Sequence, residues 1–93
     1  MKMTDIVYNN LMRAYLFNKK AKNVNGHYYK NKMNQIFNSL KLIKMYKMDN
    51  IQYEIIESDD LFLLNFYFND DKYKFKRFSF HLPLYCKNFL NNI

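Results

Sequence analysis

Two acidic pairs, Asp59-Asp60 and Asp70-Asp71, are the first residues in this chain with a chemical possibility. Asp70-Asp71-Lys72 has an acid-x-lysine spacing that can hold a divalent ion and activate water for phosphodiester hydrolysis. Between the pairs lies the apolar run Leu61 to Phe68. As a strand rising ~3.3 Å per residue, it separates them by ~25 Å, whereas paired catalytic ions lie ~4 Å apart. The acids therefore close turns. Glu54 and Glu57 differ by an odd number along a strand and point to opposite faces. His27, His81 and Cys86 are the only soft ligands, and no pair of them has zinc-finger or HExxH spacing. A Cys86–His81 dyad across Pro83 is sterically open, but a lone cysteine with no motif around it reads first as a small buried hydrophobe. A single glycine excludes a phosphate-cradling loop, and Asp5 and the scattered serines form no triad. No catalytic residue, metal ligand or cofactor is assigned, and the chain is read as a non-enzyme.

Binding chemistry has more to work with. In NDDKYKFKRFSFHL, residues 69–82, cations alternate with Tyr73, Phe75, Phe78 and Phe80. Lys76, Phe78 and Phe80 resemble part of the signature of RNA-recognition motifs, in which a basic residue precedes two base-stacking aromatics. Arg77 and Ser79 stand where that signature has small residues, and its strand order differs. Alternation in a half-buried strand instead sends Phe78, Phe80 and Leu82 to the core and leaves Arg77, Ser79 and His81 in solvent. The second candidate is a basic helical face of Lys30, Asn34, Lys41 and Lys44, flanked by Asn38, with Lys19, Lys20 and Lys22 near a turn. Such a face neutralises phosphates without reading sequence. The third is a set of tyrosines, Tyr46, Tyr67 and Tyr85, suited to protein docking because tyrosine is enriched at interface hot spots.

Apolar periodicity says which elements carry these residues. Val7, Tyr8, Leu11, Met12 and Tyr15 recur at helical spacing after the cap-like Thr4-Asp5, predicting a helix to about Lys20. KNVNGH, residues 22–27, reads as a turn. Tyr29, Met33, Ile36, Phe37, Leu40 and Ile43 predict a second helix, antiparallel to the first, from roughly Tyr28 to Lys47. The period then changes to two. Ile51, Tyr53 and Ile55 predict a half-buried strand, and LFLLNFYF, apolar on both parities, suits the central strand of a sheet. The last strand slips parity at Lys76-Arg77, which predicts a β-bulge, and hairpin turns are expected at Asp59-Asp60 and at residues 69–71. Pro83 opens a short last helix carrying Leu84, Tyr85, Phe89 and Leu90. The expected fold is α+β in the order α-α-β-β-β-α. A helical pair packs on a three-stranded antiparallel meander in one compact domain spanning 1–93, with a basic helical layer over 4–48 and sheet plus last helix over 51–93. The α-β-β-β-α order of residues 28–93 resembles that of double-stranded-RNA-binding domains, although no basic cluster opens the last helix.

Ninety-three residues, 49% hydrophobic and 19% aromatic, suffice for one modest core. Phe, Tyr, Met, Ile, Asn and Lys, the residues of AT-rich codons, make 58 of the 93, so an AT-rich genome is expected and the net charge of +7 is partly codon bias. Its distribution is not. Residues 1–48 hold ten Lys or Arg against Asp5 alone, a net of +9, while residues 49–93 carry a net of −2. The lone Cys86 fits a reducing compartment, and no signal peptide or membrane-length apolar run is evident, so a cytoplasmic protein of an AT-rich host, without a membrane partner, is expected. Small single-domain chains of this kind are typical of phages and mobile elements. The expected function is a small interaction protein that binds and inhibits a larger host protein or ribonucleoprotein, such as a defence nuclease. The alternative is sequence-independent RNA or DNA binding by the basic helices.

Overall fold

The computed structural model describes residues 2–20, 26–74 and 76–91, with side chains beyond residue 16 of the first helix, at 26–29, and at Tyr85, Phe89 and Asn91 left aside. The chain is α+β: two helices, α1 (Met3–Lys20) and α2 (Gly26–Met45), precede three strands, β1 (Ile51–Glu57), β2 (Leu61–Phe68) and β3 (Arg77–Pro83). It divides into two compact units, Met1–Lys47 and Met48–Ile93. That division falls within one residue of the change in charge, so the +9 half is the helical unit and the −2 half is the sheet unit.

In the helical unit, α1 and α2 pack against each other. The five residues between them reach at most about 20 Å, less than the ~27 Å length of α1, so the pair runs antiparallel. Val7, Leu11 and Ala14 from α1 and Met33, Ile36, Leu40 and Ile43 from α2 are buried, the i, i+3, i+4 and i+7 pattern of one helical face. Ser39 is buried on α2, and its hydroxyl is satisfied by donating to the Gln35 carbonyl one turn back (2.9 Å). Two boundary expectations are corrected. Thr4 lies inside the first turn of α1, because the Lys2 carbonyl already accepts from the amides of Asp5 (3.0 Å) and Ile6 (3.4 Å). Gly26, expected in the turn, is the first residue of α2. At the far end α2 stops at Met45, and Lys47 takes a left-handed conformation (φ 47°), the helix-closing geometry that glycine usually supplies.

In the sheet unit the strands form an antiparallel meander in the order β1-β2-β3, with β2 central as its two-sided apolar sequence predicts. The even positions of β2 and β3 (Phe62, Leu64, Phe66, Phe68, Phe78, Phe80 and Leu82) are all buried. Their rings meet edge-on: Phe66–Phe80 at 6.2 Å and Phe68–Phe78 at 6.0 Å between centroids. The aromatic strip around Phe78 and Phe80 is therefore core, while Arg77, Ser79 and His81 are exposed.

The β-bulge is not there. The β2–β3 register runs unbroken from Leu61↔Pro83 to Tyr67↔Arg77. The parity slip is absorbed by a longer loop, because β3 begins at Arg77 and the described residues 69–74 and 76 lie outside the strands. Asp70 supplies the competing hydrogen bond: its Oδ1 accepts from the Tyr73 amide (3.1 Å), and the Lys76 amide then donates to the Tyr73 carbonyl (2.9 Å). Tyr73 still reaches the aromatic core, edge-on to Phe68 at 5.6 Å. The β1–β2 connection is tight, with Ser58 donating to the Leu61 carbonyl through both amide (2.9 Å) and hydroxyl (2.7 Å). Past Pro83, where a short last helix was expected, the chain makes a 3-10 turn, Leu84–Cys86.

Candidate functional site

The amphipathic pattern that buries one side of α2 decides what its other side presents. Lys30, Asn34, Asn38, Lys41, Lys44 and Met45 are all exposed, and at 100° per residue they fall within about 120° of arc opposite the buried Ile36, Ser39 and Ile43. The polar residues on this stripe are lysine or asparagine, with no acid among them. Lys44 lies in the last turn, where a cation also suits the negative end of the helix dipole. The stripe ends on two large apolar residues, Met45 (68% exposed) and Tyr46 (55% exposed). On α1, Arg13 is exposed as well.

The residues singled out from sequence thus separate into groups. Lys30, Asn34, Lys41 and Lys44 share the α2 stripe, and Tyr46 follows it directly. Lys19 and Lys20 occupy the last turn of α1, with side chains outside the described set, and Lys22 lies outside the described residues altogether. Tyr85 lies in the 3-10 turn of the sheet unit, and its side chain is likewise not described. Tyr67 is on β2, half-buried, with its hydroxyl already engaged.

That engagement belongs to a polar cluster on the sheet face opposite the aromatic core, invisible without strand register. Glu54 pairs with Asn65 across β1–β2, and Asn65 pairs with Ser79 across β2–β3. One Glu54 oxygen accepts from both the Tyr67 hydroxyl (2.7 Å) and the Asn65 side-chain amide (3.0 Å). The Tyr67 bond, then the Asn65 bond, hold the Glu54 carboxyl below its usual range, with Arg77 nearby adding to the effect. The same bond to Glu54 pushes the Tyr67 phenol up. Asn65 is 6% exposed, and its Oδ1 has no hydrogen-bond partner.

Among the described residues, no three of His, Cys, Asp and Glu gather as a metal site would require. Asp59-Asp60 and Asp70-Asp71 lie in loops at opposite ends of β2. Cys86 is buried and His81 exposed. No described helix is long and apolar enough to cross a membrane.

Fold and surface together define an α+β chain with a basic helical hairpin and an aromatic-cored meander. No protein-family model matches it, and neither a curated protein nor a solved structure does.

Proposed function

We propose that this chain is a non-enzymatic binding protein, encoded by a phage or mobile element of an AT-rich host, that docks on a larger host protein or ribonucleoprotein and inhibits it. The observation that carries the reading is the α2 stripe: three lysines and two asparagines in line, ending on exposed Met45 and Tyr46, in a unit with a net charge of +9. Cations and amides suit phosphate or acidic side chains, and an adjoining methionine and tyrosine suit a desolvated apolar contact. A ribonucleoprotein offers both surfaces side by side. A defence nuclease loaded with nucleic acid is one target of that description.

A second reading, sequence-independent binding of RNA or DNA alone, uses the lysines and asparagines without Met45 and Tyr46. The two separate by experiment. Fluorescence anisotropy of labelled single-stranded and duplex RNA and DNA is compared for the wild type and for Met45→Ala/Tyr46→Ala. Salt-sensitive binding that the double alanine variant retains in full supports the nucleic-acid reading. Weak binding to free nucleic acid, with inhibition of a nucleic-acid-loaded nuclease that the alanine variant loses, supports docking. Absence of binding at low salt to nucleic acid and to loaded nucleases alike refutes both.

A further inference from the structure

The basic and aromatic stretch of residues 69–82 sends Phe78 and Phe80 to the core and leaves its cations without a role. Two of them, Lys76 and Arg77, are exposed and line an open hollow of about 390 Å³ together with Tyr67, Phe68 and Asn69. That volume falls in the range of about 300–1,000 Å³ in which proteins bind small molecules. No acid is among the lining residues. Of the two loop acids, Asp70 spends an oxygen on the Tyr73 amide, and neither it nor Asp71 reaches the hollow. Among the described residues, Lys76 and Arg77 form no ion pair, and Glu54 acts on Arg77 only through its field.

The backbone under both cations is fixed. Arg77 is paired with Tyr67 across β2–β3. The Lys76 carbonyl accepts from the Phe68 amide (3.0 Å), while its own amide donates to the Tyr73 carbonyl (2.9 Å). The Tyr67 side chain is held by its hydroxyl bond to Glu54 (2.7 Å). A guanidinium fork, an ammonium point charge and an aromatic ring are thus set around one hollow before any ligand arrives, which lowers the cost of binding. The two cations match a phosphate monoester, which carries about −1.5 to −2 charge at neutral pH. Nucleic-acid bases stack on aromatic rings whatever the base.

We infer that this hollow binds a nucleoside monophosphate, with the phosphate between Lys76 and Arg77 and the base against Tyr67. Asn69, exposed on the same rim, offers a side-chain amide to the sugar. A phosphate inside a strand carries one charge rather than two, so the salt dependence of strand binding stays with α2. The inference concerns the sheet unit alone and does not rest on the α2 stripe.

The test titrates the full ¹⁵N-labelled chain with adenosine monophosphate, with adenosine, ribose 5-phosphate and inorganic phosphate as controls. Adenosine monophosphate is expected to shift the amides of residues 67–69, 76 and 77 and to bind about tenfold more tightly than any control. Arg77→Gln and Lys76→Gln are each expected to weaken that binding about tenfold. Lys72→Gln removes the same charge from the same loop without touching the hollow, and is expected to leave binding unchanged. All three side chains are exposed, so the variants are expected to fold, and their amide spectra check it. Equal affinity for adenosine monophosphate and inorganic phosphate would mean an adventitious ion only and overturn the inference. Equal losses in Lys72→Gln and Arg77→Gln, shifts confined to α2, or no shift at millimolar ligand overturn it as well. Shifts at the hollow alongside absent nucleic-acid and nuclease binding retain this site and refute the role of the α2 stripe.

Discussion

Reversing Lys41 and Lys44 to glutamate is the perturbation that most directly questions the α2 stripe. Lys30, Lys41 and Lys44 are exposed on one line of the helix, spread over ~21 Å at 1.5 Å per residue. If each neutralises one phosphate, log K falls with log salt at a slope of about −2.7 on duplex and about −2.1 on single strands. Going from about 50 to about 200 mM salt then weakens duplex binding about 40-fold and single-strand binding about 20-fold. In Lys41→Glu/Lys44→Glu only Lys30 remains, the duplex slope drops to about −0.9, and the same salt step costs about 3-fold. Anisotropy titrations at four salt concentrations measure both slopes. The control is Lys72→Glu/Lys76→Glu, which removes the same charge from the sheet unit and leaves α2 intact. The wild-type slope is expected to persist in that control. If both double variants lose the same slope, net charge of +7 rather than the stripe drives binding, and the reasoning from α2 geometry is refuted. An unchanged slope in Lys41→Glu/Lys44→Glu refutes it as well.

Three further outcomes follow from the fold. Phe66 is fully buried and edge-on to Phe80, so Phe66→Ala is expected to destabilise the protein by about 3–5 kcal/mol in urea unfolding. Lys47→Gly removes a side chain from a left-handed backbone position, and a gain of about 0.5–1 kcal/mol is expected from the same measurement. The Glu54 cluster makes stability depend on pH with a definite sign. Because the folded Glu54 pKa is depressed from its ordinary 4.5, its contribution is present above that value and lost as pH falls through the lower folded one. Tyr67, raised from 10.0, contributes below that value and loses its contribution as pH rises through the higher folded one. Urea midpoints of wild type and Glu54→Gln are therefore expected to differ at neutral pH and converge in acid, whereas a constant difference would exclude the Tyr67–Glu54 bond as the cause.

Much of the chain was legible from local pattern, and the failures have local causes. The helices and strands follow from periods of 3.6 and 2, and the burial of Phe78 and Phe80 from alternation alone. The parity slip at Lys76-Arg77 has two physical solutions, a bulge or a strand that starts later. The choice fell to the Asp70 side chain, whose bond to the Tyr73 amide turns the chain before pairing begins. Of the candidate site, Lys30, Asn34, Lys41 and Lys44 were found because helical spacing brings them together within one element. Tyr67 was grouped with Tyr46 and Tyr85 as a docking candidate without sight of its bond to Glu54, because that partner is on another strand, thirteen residues away.

The amino-acid sequence by itself determined the α+β class, the order of the two helices and three strands, the apolar faces and the break in charge between the two halves, all of which depend on residues near one another in the chain. Tertiary structure alone decided what depends on register and edges. Pairing Glu54 with Asn65 built the polar cluster and left Asn65 Oδ1 unpartnered. Placing β1 at the margin of the meander left Ile55 exposed, although the alternation of Ile51, Tyr53 and Ile55 reads like that of a strand with one covered face. Periodicity reports which side of a strand is apolar, but only the strand's neighbours determine whether that side is covered.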